Sequence, residues 1–126
     1  MTPFGLMMRH YRAERNLTLN DQARALGVSI AYLSSLERGM KSRPSAALVD
    51  QICVWLGLIW DDAETLKSLA ALSHPRPQLN TGNLTPEATM LANLIAQNID
   101  RLSAAQCREI TELLADTLNL NLPQMR

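Results

Sequence analysis

The sequence predicts an all-helical protein, and three of its features support this prediction. Apolar residues recur at intervals of three and four, which is the spacing of one helix face. Serine, threonine or aspartate stands before most of these segments, where it can cap a helix. The sequence lacks runs that alternate apolar and polar β-branched residues, the pattern typical of strands. We therefore expect helices along the whole chain.

Length and composition limit how these helices are grouped. A chain of 126 residues with 47% apolar and 19% charged residues suits one globular domain, or a small domain with an appendage. We predict a first domain over residues 1–74, a linker over residues 75–84 and a helical hairpin over residues 85–122. The linker segment PRPQLNTGNL is rich in Pro, Asn and Gly, which favour turns.

Five helices are predicted in the first domain. The first spans residues 4–16 and is expected to turn Leu6, His10 and Ala13 toward the core. The other four have predicted caps at their starts: Thr18 with Asp21, Ser29, Ser45 or Pro44, and Asp61 with Glu64. Residues that favour the end of a helix follow three of the five: Gly27, Gly39 and the pair His74-Pro75.

Residues 48–60 carry more apolar surface than one small core needs. One helical face holds the apolar residues Leu48, Ile52, Trp55, Leu56 and Ile59. Further apolar residues widen that face: Val49, Cys53, Val54, Leu58 and Trp60. We expect this surplus to contact another helix or a subunit.

The hairpin consists of two capped helices with apolar faces. Thr85-Pro86 begins the first, and Ser103 with Gln106 forms a capping box for the second. The apolar faces hold Leu91, Leu94, Ile95, Ile99 and Leu102, and then Ile110, Leu113, Leu114 and Leu118. Two helices of this length cannot bury both faces alone, so they must pack on the first domain or on a copy of themselves.

Charge is distributed unevenly along the neutral chain. Residues 1–60 contain seven basic and four acidic residues, a net charge of +3, whereas residues 61–126 contain five and eight, a net charge of −3. The first half therefore suits a polyanionic partner.

Several classes of protein are not expected. The longest apolar run, residues 51–60, is half the length of a membrane span, and no signal-peptide pattern precedes Arg9, so we expect a cytoplasmic protein. Cys53 and Cys107 have no CxxC partner, and His10 and His74 stand apart from them. We expect no metal, no cofactor and no enzymatic activity, since the motifs of phosphate loops and hydrolases are missing.

Residues 19–38 match a helix-turn-helix, two short helices of which the second enters the DNA major groove. A small residue, Ala23, suits the helix crossing, and Gly27 suits the turn four residues later. Interior positions that would hold the second helix are Val28, Leu33 and Leu36.

The segment LTLNDQARALGVSIAYLSSLERG, followed by KSRPS, resembles the XRE family of phage-repressor-like regulators. This resemblance covers residues 4 to about 58. It implies a five-helix, lambda-repressor-like DNA-binding domain in which Glu37 pairs with Arg12. The segments WDDAETLKSLAALSHPRP and NLTPEATMLANLI are similar to a recurring arrangement in bacterial XRE regulators, which implies no activity.

The chain departs from that family at two positions where glutamine is common, Leu19 and Ile30. Ile30 and Ala31 can instead pack on thymine methyl groups, while Ser34 and Ser35 can hydrogen-bond bases or phosphates. Tyr32 suits sugar, phosphate or packing against the first helix. The predicted DNA-binding residues are Ser29, Ile30, Ala31, Tyr32, Ser34, Ser35, Arg38, Lys41, Ser42 and Arg43.

These observations predict a transcriptional regulator that binds double-stranded DNA, most simply a repressor acting as a homodimer on a pseudo-palindromic operator. The candidate dimer interfaces are the apolar residues 48–60 and the hairpin over residues 85–122, which we predict to be the dimerisation element. One alternative is a protein-interaction module with a helix-turn-helix fold, in which Ile30 and Ala31 contact a partner. Another is an antitoxin, in which the C-terminal hairpin neutralises a toxin while the N-terminal part binds an operator. The sequence does not identify a further protein partner.

Overall fold

The structure is a computed structural model, and it describes residues 1–125. Every regular element in these residues is helical, which confirms the predicted fold class. The helices are α1 (Pro3–Glu14), α2 (Leu19–Leu26), α3 (Ile30–Glu37), α4 (Ala46–Leu56), α5 (Trp60–Ala71), α6 (Pro86–Asn98) and α7 (Ala104–Leu118), with a 3-10 turn at Ile99–Arg101.

The chain divides into two units. Unit 1 comprises residues 1–77 together with residues 123–125, and unit 2 comprises residues 78–122. The five helices of unit 1 form the predicted five-helix domain, and unit 2 holds α6 and α7. The functional boundaries predicted at residues 74 and 84 stay a prediction.

Most of the predicted caps are present. The Thr18 hydroxyl accepts a hydrogen bond from the Asp21 backbone N–H at 3.0 Å, and the Asp21 carboxylate accepts one from the Thr18 N–H at 2.8 Å. Ser29 caps α3 through the Tyr32 N–H, and Ser45 caps α4 through the Leu48 N–H. The predicted caps of α6 and α7 are also confirmed.

The predicted cap at Asp61 is wrong. The helix α5 begins at Trp60, its N-cap residue is Ile59, and no side chain caps it. Asp61 therefore lies inside the first turn, where a cap cannot form, although the partial positive charge of the helix start still favours its carboxylate there.

The core of unit 1 lies between α1, α3, α4 and α5. Its buried members on α1 are Phe4, Met7, Met8 and Tyr11. The predicted inner face of α1 is therefore wrong: Leu6 and His10 are half-buried and Ala13 is exposed. The four larger side chains remove more apolar area from water, so they determine which face of α1 turns inward.

The apolar surplus of residues 48–60 is partly used by this core. Of the predicted face, Leu48, Ile52 and Leu56 are buried, Trp55 is half-buried and Ile59 is exposed. Among the residues that widen it, Val49, Cys53 and Leu58 are buried, whereas Val54 and Trp60 are exposed. Val54 and Trp60 expose 83% and 82% of their surface. The surplus is thus smaller than predicted and lies where α4 ends and α5 begins.

Candidate nucleic-acid interface

The α2 and α3 helices meet at a tight turn built on Gly27. Gly27 adopts φ +69°, a left-handed conformation that glycine reaches without strain, and the Val28 N–H donates to the Ala23 carbonyl at 3.0 Å. Ala23 is buried where the helices approach, and Leu33 and Leu36 anchor α3 to the core side. Val28 is half-buried. The predicted interior residues thus lie together along the inner side of the motif.

The opposite side of α3 faces solvent. Ser29, Ile30, Ala31 and Tyr32 are exposed at its start, with Ile30 exposing 47% of its surface. Further along the helix, Ser34 and Ser35 are half-buried and Arg38 is exposed. An eight-residue helix with a free first turn and a buried rear is the shape that can enter a major groove.

The basic loop follows directly after α3. Lys41, Ser42 and Arg43 are exposed, and the next residue, Pro44, is buried and ties the loop to the domain. Backbone N–H groups at the start of α4 come immediately afterwards, behind the Ser45 cap. The structure therefore places exposed cations beside a helix start that favours negative charge.

Lys67 and His74 lie beside the basic loop, although sequence analysis did not predict either as part of the interface. An open cleft of about 810 Å³ is lined by Arg43 and Ser45 and, from α5 and its end, by Lys67 and His74. The Lys67 ammonium also lies 3.8 Å from the Asp50 carboxylate and 3.7 Å from that of Glu64. No sequence pattern links Lys67 to Arg43, because the fold alone brings these distant residues to one cleft.

The far end of α3 is held by a buried ion pair. Arg12 and Glu37 are 8% and 3% exposed, and the Arg12 guanidinium donates to both carboxylate oxygens of Glu37. The pairing implied by the family resemblance is thus present. The backbone supports it, because the Thr2 N–H donates to the Glu37 carbonyl at 3.0 Å. Gly5 approaches the same carbonyl so closely that a Cβ there would lie 2.2 Å from its oxygen.

Gln22 is a further residue that sequence analysis missed. Its side chain is fully buried, its Oε1 accepts a hydrogen bond from Arg12 Nη1, and its Nε2 donates to the Met8 sulfur at 3.2 Å. Its place on α2, three residues after Leu19 and four before Leu26, could have revealed an inward-facing position. Gln22, Arg12 and Glu37 therefore join α2, α1 and α3 through one buried polar network.

Comparison with known proteins agrees with this geometry. A family model described as a helix-turn-helix domain matches residues 3–66, just over half of the chain. The chain belongs to this helix-turn-helix family. Together with the relatives described next, this match confirms the predicted XRE-like helix-turn-helix resemblance.

Curated relatives are similar to part of this chain. An uncharacterized HTH-type transcriptional regulator, RghRB of Bacillus subtilis (strain 168), is 32% identical over 49% of this chain and 45% of its own length. The HTH-type transcriptional regulators SinR of the same strain and of Bacillus licheniformis are each 33% identical over 38% of this chain and 43% of their own length. The chain thus spans less than half the length of the curated relatives it matches. No solved structure matches it.

Two further observations concern membrane spans and metal sites. Among residues 1–125, no helix is long and apolar enough to cross a bilayer. Over the same residues, no three His, Cys, Asp or Glu side chains come together as a metal site would require.

Proposed function

We propose that this protein is a cytoplasmic transcriptional repressor that binds, as a homodimer, to a pseudo-palindromic operator. The observation that carries the proposal is the free first turn of α3 beside the exposed basic loop, with the other end of α3 held by Arg12 and Glu37. Because the C-terminal end of α3 is anchored and its first turn is exposed, α3 can enter a groove without rearrangement of the domain.

Base recognition is assigned to the start of α3. Ile30 and Ala31 are exposed there and offer only apolar atoms, which complement the C5-methyl group of thymine. The Ser29 hydroxyl accepts a hydrogen bond from the Tyr32 N–H as a cap, and its own O–H stays available to donate to DNA. Ser35 and the DNA shape would supply the remaining preference.

Phosphate contacts are assigned to the basic loop and the residues beside it. Arg38, Lys41 and Arg43 are exposed cations next to the recognition helix, and Ser42 lies between the last two. Contacts of this kind supply affinity and register, and they make binding depend on salt.

We propose a dimer because α3 is too short to recognise an operator alone. A single eight-residue helix touches few base pairs, and a two-fold dimer would place two such helices about 34 Å apart, one turn of DNA. Occupation of a promoter by such a dimer blocks transcription sterically, which is the mechanism we propose.

An electrophoretic shift assay on DNA fragments at two salt concentrations tests the proposal. The logarithm of affinity should fall linearly with the logarithm of salt concentration, by about 0.9 for each neutralised phosphate. Arg43→Ala should reduce this slope by about one for each phosphate that is no longer neutralised. Arg108→Ala, which removes an exposed cation of α7, is the matched control and should leave the slope unchanged. Lack of salt-dependent binding to any fragment would contradict the proposal and favour a protein-interaction module.

A further inference from the structure

We infer that the cleft between the basic loop, α4 and α5 binds a small phosphate monoester that carries hydroxyl groups, and that this ligand competes with DNA for Arg43. In its simplest form such a ligand is a sugar phosphate. The competition rests on the proposed DNA binding, whereas the ligand site itself does not. The observation behind it is a cleft of about 810 Å³ in which basic and hydroxyl side chains lie around an apolar base.

The cleft has the size and the lining of a site for a small organic molecule. Such sites enclose roughly 300–1,000 Å³ and combine apolar walls with a few polar groups. Pro44, Val49 and Ala70 line the cleft, and because they are buried they form its base. The whole lining comes from residues 42–74, all of which belong to unit 1.

The two cations of the cleft suit a phosphate dianion. Arg43 belongs to the basic loop and Lys67 to α5, so the charges come from separate segments. The Lys67 ammonium lies 3.8 Å from the Asp50 carboxylate and 3.7 Å from that of Glu64, longer than the roughly 2.8 Å of a strong charge-assisted hydrogen bond. Exposed pairs of this kind stabilise a fold little, so Lys67 can turn toward a phosphate at small cost.

Two uncharged donors also line the cleft. The His74 Nδ1 accepts a hydrogen bond from the Arg76 backbone N–H at 3.0 Å, so the neutral ring carries its proton on Nε2 and donates from there. The Ser45 hydroxyl accepts a hydrogen bond from the Leu48 N–H as the cap of α4, and its own O–H stays available to donate. Both side chains can therefore donate to the oxygens of a phosphate.

Asp50 limits what the rest of the ligand can be. Its exposed carboxylate lines the same cleft, where it repels a second anionic group but accepts hydrogen bonds from hydroxyl groups. A molecule with one phosphate and several hydroxyl groups suits both Asp50 and the cations. The C–H groups of a sugar ring can pack on Val49 and Ala70 at the base.

The buried base argues against the DNA backbone as the occupant of the cleft. The phosphates of a duplex lie on a convex surface and can reach an exposed side chain such as Arg43, but they cannot fill a cleft down to Val49 and Ala70. A small molecule can occupy the base and contact Arg43 at the same time. Because Arg43 cannot hold a ligand phosphate and a DNA phosphate together, each ligand should weaken the binding of the other.

Isothermal titration calorimetry of the full chain without DNA tests the site. Three probes are compared: ribose 5-phosphate, ribose and inorganic phosphate. Ribose 5-phosphate should bind at least about tenfold more tightly than either of the other two, because it alone contacts both the cations and Asp50.

Two variants and a control locate the binding. Lys67→Met removes a charge-assisted hydrogen bond and should weaken the binding of ribose 5-phosphate about tenfold or more. Ala71→Trp should have the same effect without a change of charge, because Ala71 is an exposed lining residue and the indole ring would fill the cleft. Arg9→Met removes an exposed cation of α1 outside the lining, so it should leave the affinity for the probe unchanged.

An electrophoretic shift assay with added ribose 5-phosphate tests the competition. The probe should weaken DNA binding by the parent chain, and it should have no effect on DNA binding by Ala71→Trp. If the parent binds no ribose 5-phosphate at about 10 mM, or binds it no better than inorganic phosphate, the inference is overturned. Loss of DNA binding in Lys67→Met together with that result would assign the cleft to the DNA backbone.

The failure of the inference can be distinguished from the failure of the proposed function. A chain that binds ribose 5-phosphate through Lys67 but binds no DNA would contradict the proposed function and the competition, and it would support the ligand site. A chain that binds DNA with the expected salt dependence but no probe would support the proposed function and overturn the ligand site.

Discussion

Gln22 Oε1 on α2 and Glu37 Oε2 on α3 both accept hydrogen bonds from the same nitrogen, Nη1 of Arg12 on α1. One buried guanidinium thus connects α1, α2 and α3 of unit 1. Glu37 is also the last residue of α3, so this network anchors that end of α3 to α1 and α2.

Removing Arg12 should destabilise unit 1 strongly. Arg12→Met leaves the Glu37 carboxylate buried without its partner, and we expect the free energy of unfolding to fall by about 3–5 kcal/mol. Urea denaturation measures this loss. The double variant Arg12→Met with Glu37→Met buries no charge and should recover a large part of it. A double variant as unstable as Arg12→Met alone would contradict a paired role for the two residues.

Replacing Gln22 should affect DNA selectivity more than folding. Gln22→Leu keeps the burial but removes one acceptor from Arg12, so the expected loss in the free energy of unfolding is about 1 kcal/mol. Because the Arg12 side chain that holds Glu37 of α3 loses one hydrogen-bond partner, we expect the affinity ratio between selected and random DNA to fall several-fold. Competition binding measures that ratio, and Gln51→Leu, an exposed change on α4, is the control. An unaltered ratio would reduce Gln22 to a packing role.

The Thr18–Asp21 cap predicts a pH dependence of stability. The Thr18 backbone N–H donates to the Asp21 carboxylate and lowers the pKa of that carboxylate below its ordinary value. A carboxylate with a lowered pKa in the folded state stabilises the fold above its unfolded pKa of about 4, and the contribution is lost as the pH falls through the folded pKa. The stability difference between the parent and Asp21→Asn should therefore shrink below about pH 4 in urea titrations. A difference that stays constant with pH would exclude the charge as its source.

The sequence predicted local features of unit 1 better than its interior. Thr18, Ser29 and Ser45 were predictable as caps because a cap depends on the few residues that follow it. The start of α5 at Trp60 was not, since Trp60 adopts φ +52°, a conformation that local preference disfavours in a large side chain. The role of Gln22 could not be predicted from its type, because glutamine is usually exposed and only the packed Arg12 makes its burial favourable.

The cleft beside the basic loop also contains residues that the sequence alone could not predict. The neighbours of Arg43 in sequence predict a phosphate contact there, which stays a prediction, whereas Lys67 reaches that cleft only through the packing of α5 against α4. Whether a residue lines a site made by several helices depends on tertiary contacts that hydrophobic spacing does not encode.

The most direct test of the central claim, that the first turn of α3 reads DNA through Ile30 and Ala31, is selection of bound sites from random DNA with the parent chain and with Ile30→Gln. The parent should select two half-sites about one helical turn apart, each with thymine where Ile30 lies, and Ile30→Gln should shift that position toward adenine. Ile59→Gln is the control, because it makes the same substitution at an exposed isoleucine outside α3, and it should leave the selected sites unchanged. Selected sites that are the same for the parent and Ile30→Gln, or no selected sites at all, would contradict the claim.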